Sequence, residues 1–220
     1  MSQRHDARIK SGLAPRIVSI KKLDRPKLWI VAGPNGSGKS SMYANTDIED
    51  FGGSVWIINP DVLSERIKQN ESLSLRAANL EAVKRIYTWL EASIAAHQTV
   101  GVETVLSTDK YQTLVLAAQA RGFEVRLIYV LLRSAMLNVE RVKMRVGKGG
   151  HDVPKGKILE RRKRSLQQLP WFLNQADQAW IFDNSDASPR IIGTKSGRDI
   201  TLDPSALPEI VEAVELIRTE

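Results

Sequence analysis

Residues 33–40 read Gly33-Pro34-Asn35-Gly36-Ser37-Gly38-Lys39-Ser40, a full match to the phosphate-loop pattern of glycine, four residues, then Gly-Lys-Ser/Thr. No other feature of the chain restricts its fold as much. Such a loop works only between a strand and a helix, because its backbone N–H groups must converge on phosphate oxygens while a helix start adds its positive end. The flanks supply that setting. Lys27–Ala32 (KLWIVA) is a short apolar run, and helical sequence follows from about Lys39. Each position then has a task. Gly33, Pro34, Asn35, Gly36, Ser37, Gly38, Lys39, Ser40 and the adjoining Ser41 form the nucleotide cradle. Lys39 neutralises the β- and γ-phosphates, and the Ser40 hydroxyl ligates Mg²⁺. The overlapping Gly36-x-Gly38 is no dinucleotide fingerprint, since its third glycine position is Ser41. With no Asn-Lys-x-Asp segment to select guanine, ATP is the expected nucleotide.

Beyond the loop, strand and helix patterns alternate. Ser54–Ile58 reads as a second strand, Leu75–His97 as one long amphipathic helix with Leu80, Val83, Ile86, Tyr87, Leu90 and Ile94 on its apolar face, and Thr99–Glu103 as a third strand. Tyr111–Ala120 is a helix, Phe123–Leu132 a buried central strand, and Ala135–Val146 a helix that breaks at Gly147-Lys148-Gly149-Gly150. A basic helix over Pro154–Leu169 follows, then a strand at Ala179–Phe182. A hairpin over Arg190–Thr194 and Arg198–Leu202 precedes a closing helix at Pro208–Arg218. This predicts an α/β fold of the P-loop NTPase type: a doubly wound, mostly parallel sheet with a helical lid and a small C-terminal hairpin. Residues 1–26 read as a basic extension, 27–220 as one domain, and about 141–169 as the lid.

Two acids fall at expected strand ends, where ligands of open α/β sheets lie. Asp61 is either the base that takes a substrate hydroxyl's proton or a helix N-cap. Glu103 holds Mg²⁺ through water, binds a substrate hydroxyl, or is structural. Ser107 and Thr108 precede a helix, so at least one is expected to cap it.

Charge narrows the partner. The chain carries +7, and the segment Arg141–Arg164 alone carries +8, with ten basic residues against Asp152 and Glu160. A field so concentrated suits a polyanion: nucleotide phosphates, a sugar nucleotide or a nucleic acid. Arg141 and Arg145, four apart, share a helix face from which they would close over the γ-phosphate. There is no cysteine, which excludes disulfides and thiolate chemistry. No apolar run spans a membrane and no secretory signal opens the chain, in keeping with a cytoplasmic protein.

Further stretches resemble the zeta toxin family of P-loop kinases in a short bacterial form: Asn59-Pro60-Asp61, Glu103-Thr104, RGFEVRLIYV at 121–130, ERVKMRVGKGGHDVP at 140–154, RRKRSLQQLP at 161–170 and FDNS at 182–185. The resemblance covers about Lys27 to Ser185. It implies an ATP-dependent kinase acting on UDP-N-acetylglucosamine, and an antitoxin protein as a partner. It makes Asp61 the base, Lys39 the phosphate clamp, Glu103 a substrate contact and Arg141 a lid arginine. Asn59, Thr104, Ser107, His151 and Arg162 are expected around the acceptor. His151 stands where longer members carry a second lid arginine. Val105-Leu106-Ser107 replaces the family's Gly-Thr-Gly-Arg run. These departures bear on the acceptor more than on the reaction. A kinase for nucleic-acid ends and a nucleotide-dependent binding module are the alternatives.

Overall fold

The computed structural model describes residues 24–42 and 57–219. Most of the basic extension and the first half of the expected second strand lie outside them. Among these described residues, seven strands form one sheet: β1 (Lys27–Ala32), β2 (Ile57–Ile58), β3 (Val100–Thr104), β4 (Glu124–Leu131), β5 (Gln178–Asp183), β6 (Arg190–Ser196) and β7 (Asp199–Leu202). Their order is β2-β3-β1-β4-β5-β6-β7. The first five run parallel, and β6 and β7 return antiparallel as the expected hairpin.

Parallel strands are covered on both faces and so tolerate continuous apolar sequence. All six residues of β1 and seven of the eight in β4 are buried. Alternation along β1 sends Leu28, Ile30 and Ala32 into the main core. There they meet α3 (Leu75–Ala95), α4 (Gln112–Ala120), α6 (Lys155–Gln175) and α7 (Pro208–Arg218). Trp29 and Val31 point to the opposite face, where Met42 of α1 (Lys39–Met42) packs with Ile128, Val130 and Phe182. Because β3 and β4 flank β1, the chain crosses over β1 between them, and the loop after β1 stands at the crevice where this sheet type binds ligands.

Three helices differ from expectation. The N-terminal half of α3 pairs with α2 (Pro60–Glu71) through the small residues Ala78 and Ala82. That close approach turns Leu80 and Val83 outward, 66% and 38% exposed. The basic helix α6 does not end at Leu169; it runs on to Gln175 with Pro170 inside it. Proline removes one bond of the helical ladder, but Leu169, Phe172 and Leu173 around it are buried and hold both halves in line. Finally, α4 starts at Gln112 with no side-chain cap, so neither Ser107 nor Thr108 caps it. Among the described residues, no helix is long and apolar enough to cross a membrane.

Candidate active site

The loop after β1 is pressed into the fold on several sides. A methyl group on Gly33 would lie 2.1 Å from the Val130 carbonyl oxygen, and one on Gly38 would lie 2.2 Å from Asn184 Nδ2. Both residues have positive φ, 142° and 92°, which side chains rarely adopt. Two amides hold the loop from behind. Asn138 on α5 (Ala135–Gly147), fully buried, donates through Nδ2 to the Asn35 carbonyl at 2.8 Å. Asn184, just past β5, donates to the Ser37 carbonyl at 2.8 Å. Neither is among the site residues expected from the sequence. Asn184 lies in the FDNS stretch, while an asparagine on an amphipathic helix carries no sequence signal of this duty.

Lys39 is buried and folded back on its own loop. Its Nζ donates to the carbonyls of Gly33 at 2.7 Å and Pro34 at 3.1 Å, and lies 3.9 Å from Glu103 Oε1. Burial lowers its pKa from 10.5; Glu103 and Asp61 oppose that shift and Arg145 adds to it. The other Glu103 oxygen, Oε2, accepts from Ser40 Oγ at 3.0 Å and from Asn59 Nδ2 at 2.9 Å. The ends of β2 and β3 and the start of α1 thus meet at one carboxylate. Asn59 Oδ1 also accepts from the backbone N–H groups of Asp61 and Val62, which makes Asn59 the N-cap of α2. Asp61, one alternative for that duty, is relieved of it and stands exposed on the first turn.

These groups open into a cleft of about 910 Å³ lined by six cationic side chains (Lys39, Lys110, Arg141, Arg145, Lys148 and Arg161), His151, and the carboxylates of Asp61 and Glu103. That balance suits a polyanion. Asn35, Gly36, Gly38, Ser40, Ser41, Asn59, Thr104 and Ser107 line it as well. Gly33, Pro34 and Ser37 do not; they shape the loop from beneath. Arg141 reaches the Ser185 carbonyl at 3.1 Å, and Arg145 the His151 carbonyl at 2.7 Å. Thr104 Oγ1 accepts from the Leu106 N–H at 3.0 Å. Leu106 itself is buried with φ at 59°, a strained conformation of the kind that clusters at functional sites.

Arg162 is the expected site residue that the structure turns away from the cleft. It is 6% exposed and donates to the Leu132 carbonyl at 2.7 Å and to Glu209 at 3.1 Å. Its neighbour Arg161 faces the cleft instead, with NH1 3.3 Å from Asn35 Oδ1. With Ser165 hydrogen-bonded to the buried Tyr129 hydroxyl at 3.0 Å, α6 is anchored in the core from Arg162 onward.

Comparison with known proteins agrees with this fold. The family described as AAA domain matches residues 28–169. An uncharacterized protein of Haemophilus influenzae is 28% identical over 135 residues, covering 58% of this chain and 91% of its own. Among solved structures, the complex of AvrRxo1-ORF1 and AvrRxo1-ORF2 with ATP superposes at a TM-score of 0.64 with 16% identity. That match takes in 88% of this chain but only 63% of the other. A structure from the PezAT chromosomal toxin-antitoxin system of Streptococcus pneumoniae superposes at 0.61 with 14% identity, over 89% of this chain and 85% of that one.

Proposed function

The chain belongs to the AAA domain family, and from that premise we propose that it is an ATP-dependent kinase phosphorylating a hydroxyl of a small molecule, by its zeta toxin resemblance a nucleotide sugar such as UDP-N-acetylglucosamine. The observation that carries this reading is Asp61: an exposed carboxylate with no capping duty, on the rim of a cationic cleft and close enough to Lys39 for its charge to be felt there. A simple nucleotide binder uses one acid, here Glu103, to hold Mg²⁺, and has no use for a second, exposed carboxylate on the cleft rim. A kinase does.

In this scheme the phosphate loop holds the triphosphate, and Lys39 leaves its own carbonyls for the β- and γ-phosphates. Asp61 accepts the acceptor's hydroxyl proton as that oxygen forms its bond to the γ-phosphorus and the bond to the ADP oxygen breaks. Arg141 and Arg145 carry the lid's charge. Ser40 and Glu103 are the residues that would hold Mg²⁺, since a hydroxyl and a carboxylate already meet at 3.0 Å. Mg²⁺ takes few protein ligands and fills the rest with phosphate oxygens and water. Among the described residues no three acids or histidines form a cage of their own, which accords with that division. Held by Ser40 and Glu103, the ion would supply neutralisation of the phosphate charge.

Only four of the ten basic residues in the Arg141–Arg164 segment line the cleft. That favours a compact polyanion over a long nucleic-acid track. We assign the chain a cytoplasmic setting, where its ATP is, and an antitoxin protein as its partner by the same resemblance. The test is transfer from γ-phosphate-labelled ATP to UDP-N-acetylglucosamine, to a metabolite extract and to oligonucleotides with free 5′-hydroxyls. Label on the nucleotide sugar is expected. Label on the oligonucleotide alone replaces the acceptor, and label on neither sugar, extract nor oligonucleotide ends the kinase reading.

A further inference from the structure

We propose that Arg161 is a catalytic residue of this site, a cation fixed beside the γ-phosphate position to stabilise the phosphoryl group in transfer. The assignment rests on the kinase reading and adds to it a residue that the sequence did not single out.

The position follows from the loop. Lys39 serves the β- and γ-phosphates in loops of this kind, and here its ammonium lies on the carbonyls of Gly33 and Pro34. Tethered on α1, that ammonium has only to swing off these carbonyls to meet the γ-phosphate, which puts the Gly33–Asn35 side of the loop nearest to it. Arg161 reaches that side and touches it at Asn35 Oδ1, 3.3 Å away. Asn35 is itself held, buried and bonded through its carbonyl to Asn138. Only one of the five guanidinium N–H groups is engaged by that contact, and arginine offers the rest as a fork suited to phosphate.

The second observation is another cation lining the same cleft. Lys110 lies on the rim, 4.6 Å over the Tyr111 ring. Although its side chain is exposed, loss of water around the ammonium and then the charge of Arg161 lower its pKa. Two cations lining one cleft are both relieved when an anion joins them. The third observation is rigidity. Arg162, bonded to the Leu132 carbonyl and Glu209, pins α6 at the next residue, so Arg161 is held in place before ATP arrives. Such preorganised charge acts chiefly on the transition state.

The test needs no acceptor. Binding of ADP alone and of ADP with aluminium fluoride, a mimic of the phosphoryl group in flight, is measured by calorimetry on the full chain with Mg²⁺. Wild type is expected to prefer the mimic strongly. Arg161→Ala is expected to keep its ADP affinity and to lose roughly 10²–10³-fold of that preference, the usual effect of removing one preorganised donor. Arg164→Ala, an exposed arginine paired with Glu160, is expected to match wild type. Retained preference in Arg161→Ala overturns the assignment. So does an equal loss of ADP affinity, or an equal loss of preference in Arg164→Ala. A wild type with no preference for the mimic overturns the kinase reading and this assignment with it.

Discussion

Asp61→Asn separates chemistry from stability more sharply than any other change in this site. As N-cap of α2, Asn59 accepts from both Asp61 N and Val62 N, so the substitution leaves the cap in place. What it removes from the fold is a negative charge in the first helical turn, worth about 0.3–1 kcal/mol at an exposed position. For a chain of this size that is a fall in Tm of roughly 2–4 °C at most. What it removes from the reaction is the proton acceptor, worth about 10²–10⁴-fold in rate, or roughly 2.7–5.5 kcal/mol of barrier. The two effects differ several-fold and are read by different instruments. ATP affinity should hold or improve slightly, because Asp61 repels a triphosphate. The assay is labelled-phosphate transfer at saturating ATP, with calorimetric nucleotide binding and a thermal melt on the same preparation. Unimpaired transfer by Asp61→Asn would refute the assignment of the base and leave Glu103 as the next carboxylate to test.

Gly33→Ala should cost about 1–3 kcal/mol in backbone strain before its methyl meets the Val130 carbonyl at 2.1 Å, and nucleotide binding should be lost with it; urea unfolding and calorimetry check both. Arg162→Ala should lower stability by roughly 1.5–3 kcal/mol, the scale of a hydrogen bond to a charged group, and, because it loosens α6 beside Arg161, should also lower the kcat of the folded fraction; urea unfolding and turnover normalised to folded protein check the two effects. Lys39 gives a pH signature. Burial lowers its folded pKa below 10.5, so as pH rises the folded chain releases this proton before the unfolded chain does. The unfolded state then binds more protons, and stability contributed by this group rises with pH from the folded pKa up to 10.5. Lys39→Met should flatten that slope in denaturant titrations across the range, and an unchanged slope would refute it.

The parts of this site visible in sequence are those fixed by local chemistry. A glycine loop between strand and helix has one geometry, and acids that follow parallel strands emerge on the ligand edge, so the place of Lys39, Ser40, Asp61 and Glu103 on one cleft is legible. What sequence could not resolve depends on rotation about a helix axis. Arg161 and Arg162 are adjacent, equal in charge and about 100° apart; only the packing of α6 against Leu132 and Glu209 decides which enters the core. The same holds for Leu80 and Val83, apolar at helical spacing but turned out by the Ala78–Ala82 contact with α2. Asn138 and Asn184 support the loop from positions 103 and 147 residues distant from the carbonyls they bind, a relation that no local pattern encodes.

The back-folded lysine changes what an approaching anion meets. With its ammonium already satisfied by two carbonyls and neighboured by a carboxylate, the empty loop is not a bare positive trap. Every anion, orthophosphate included, must break the same three associations before that charge is available. Orthophosphate brings one set of oxygens to offset that disruption, whereas a nucleoside triphosphate adds its other phosphates and the metal they carry. On the kinase reading, the back-folded Lys39 would thus set a threshold of valency that a triphosphate meets more readily than a single phosphate.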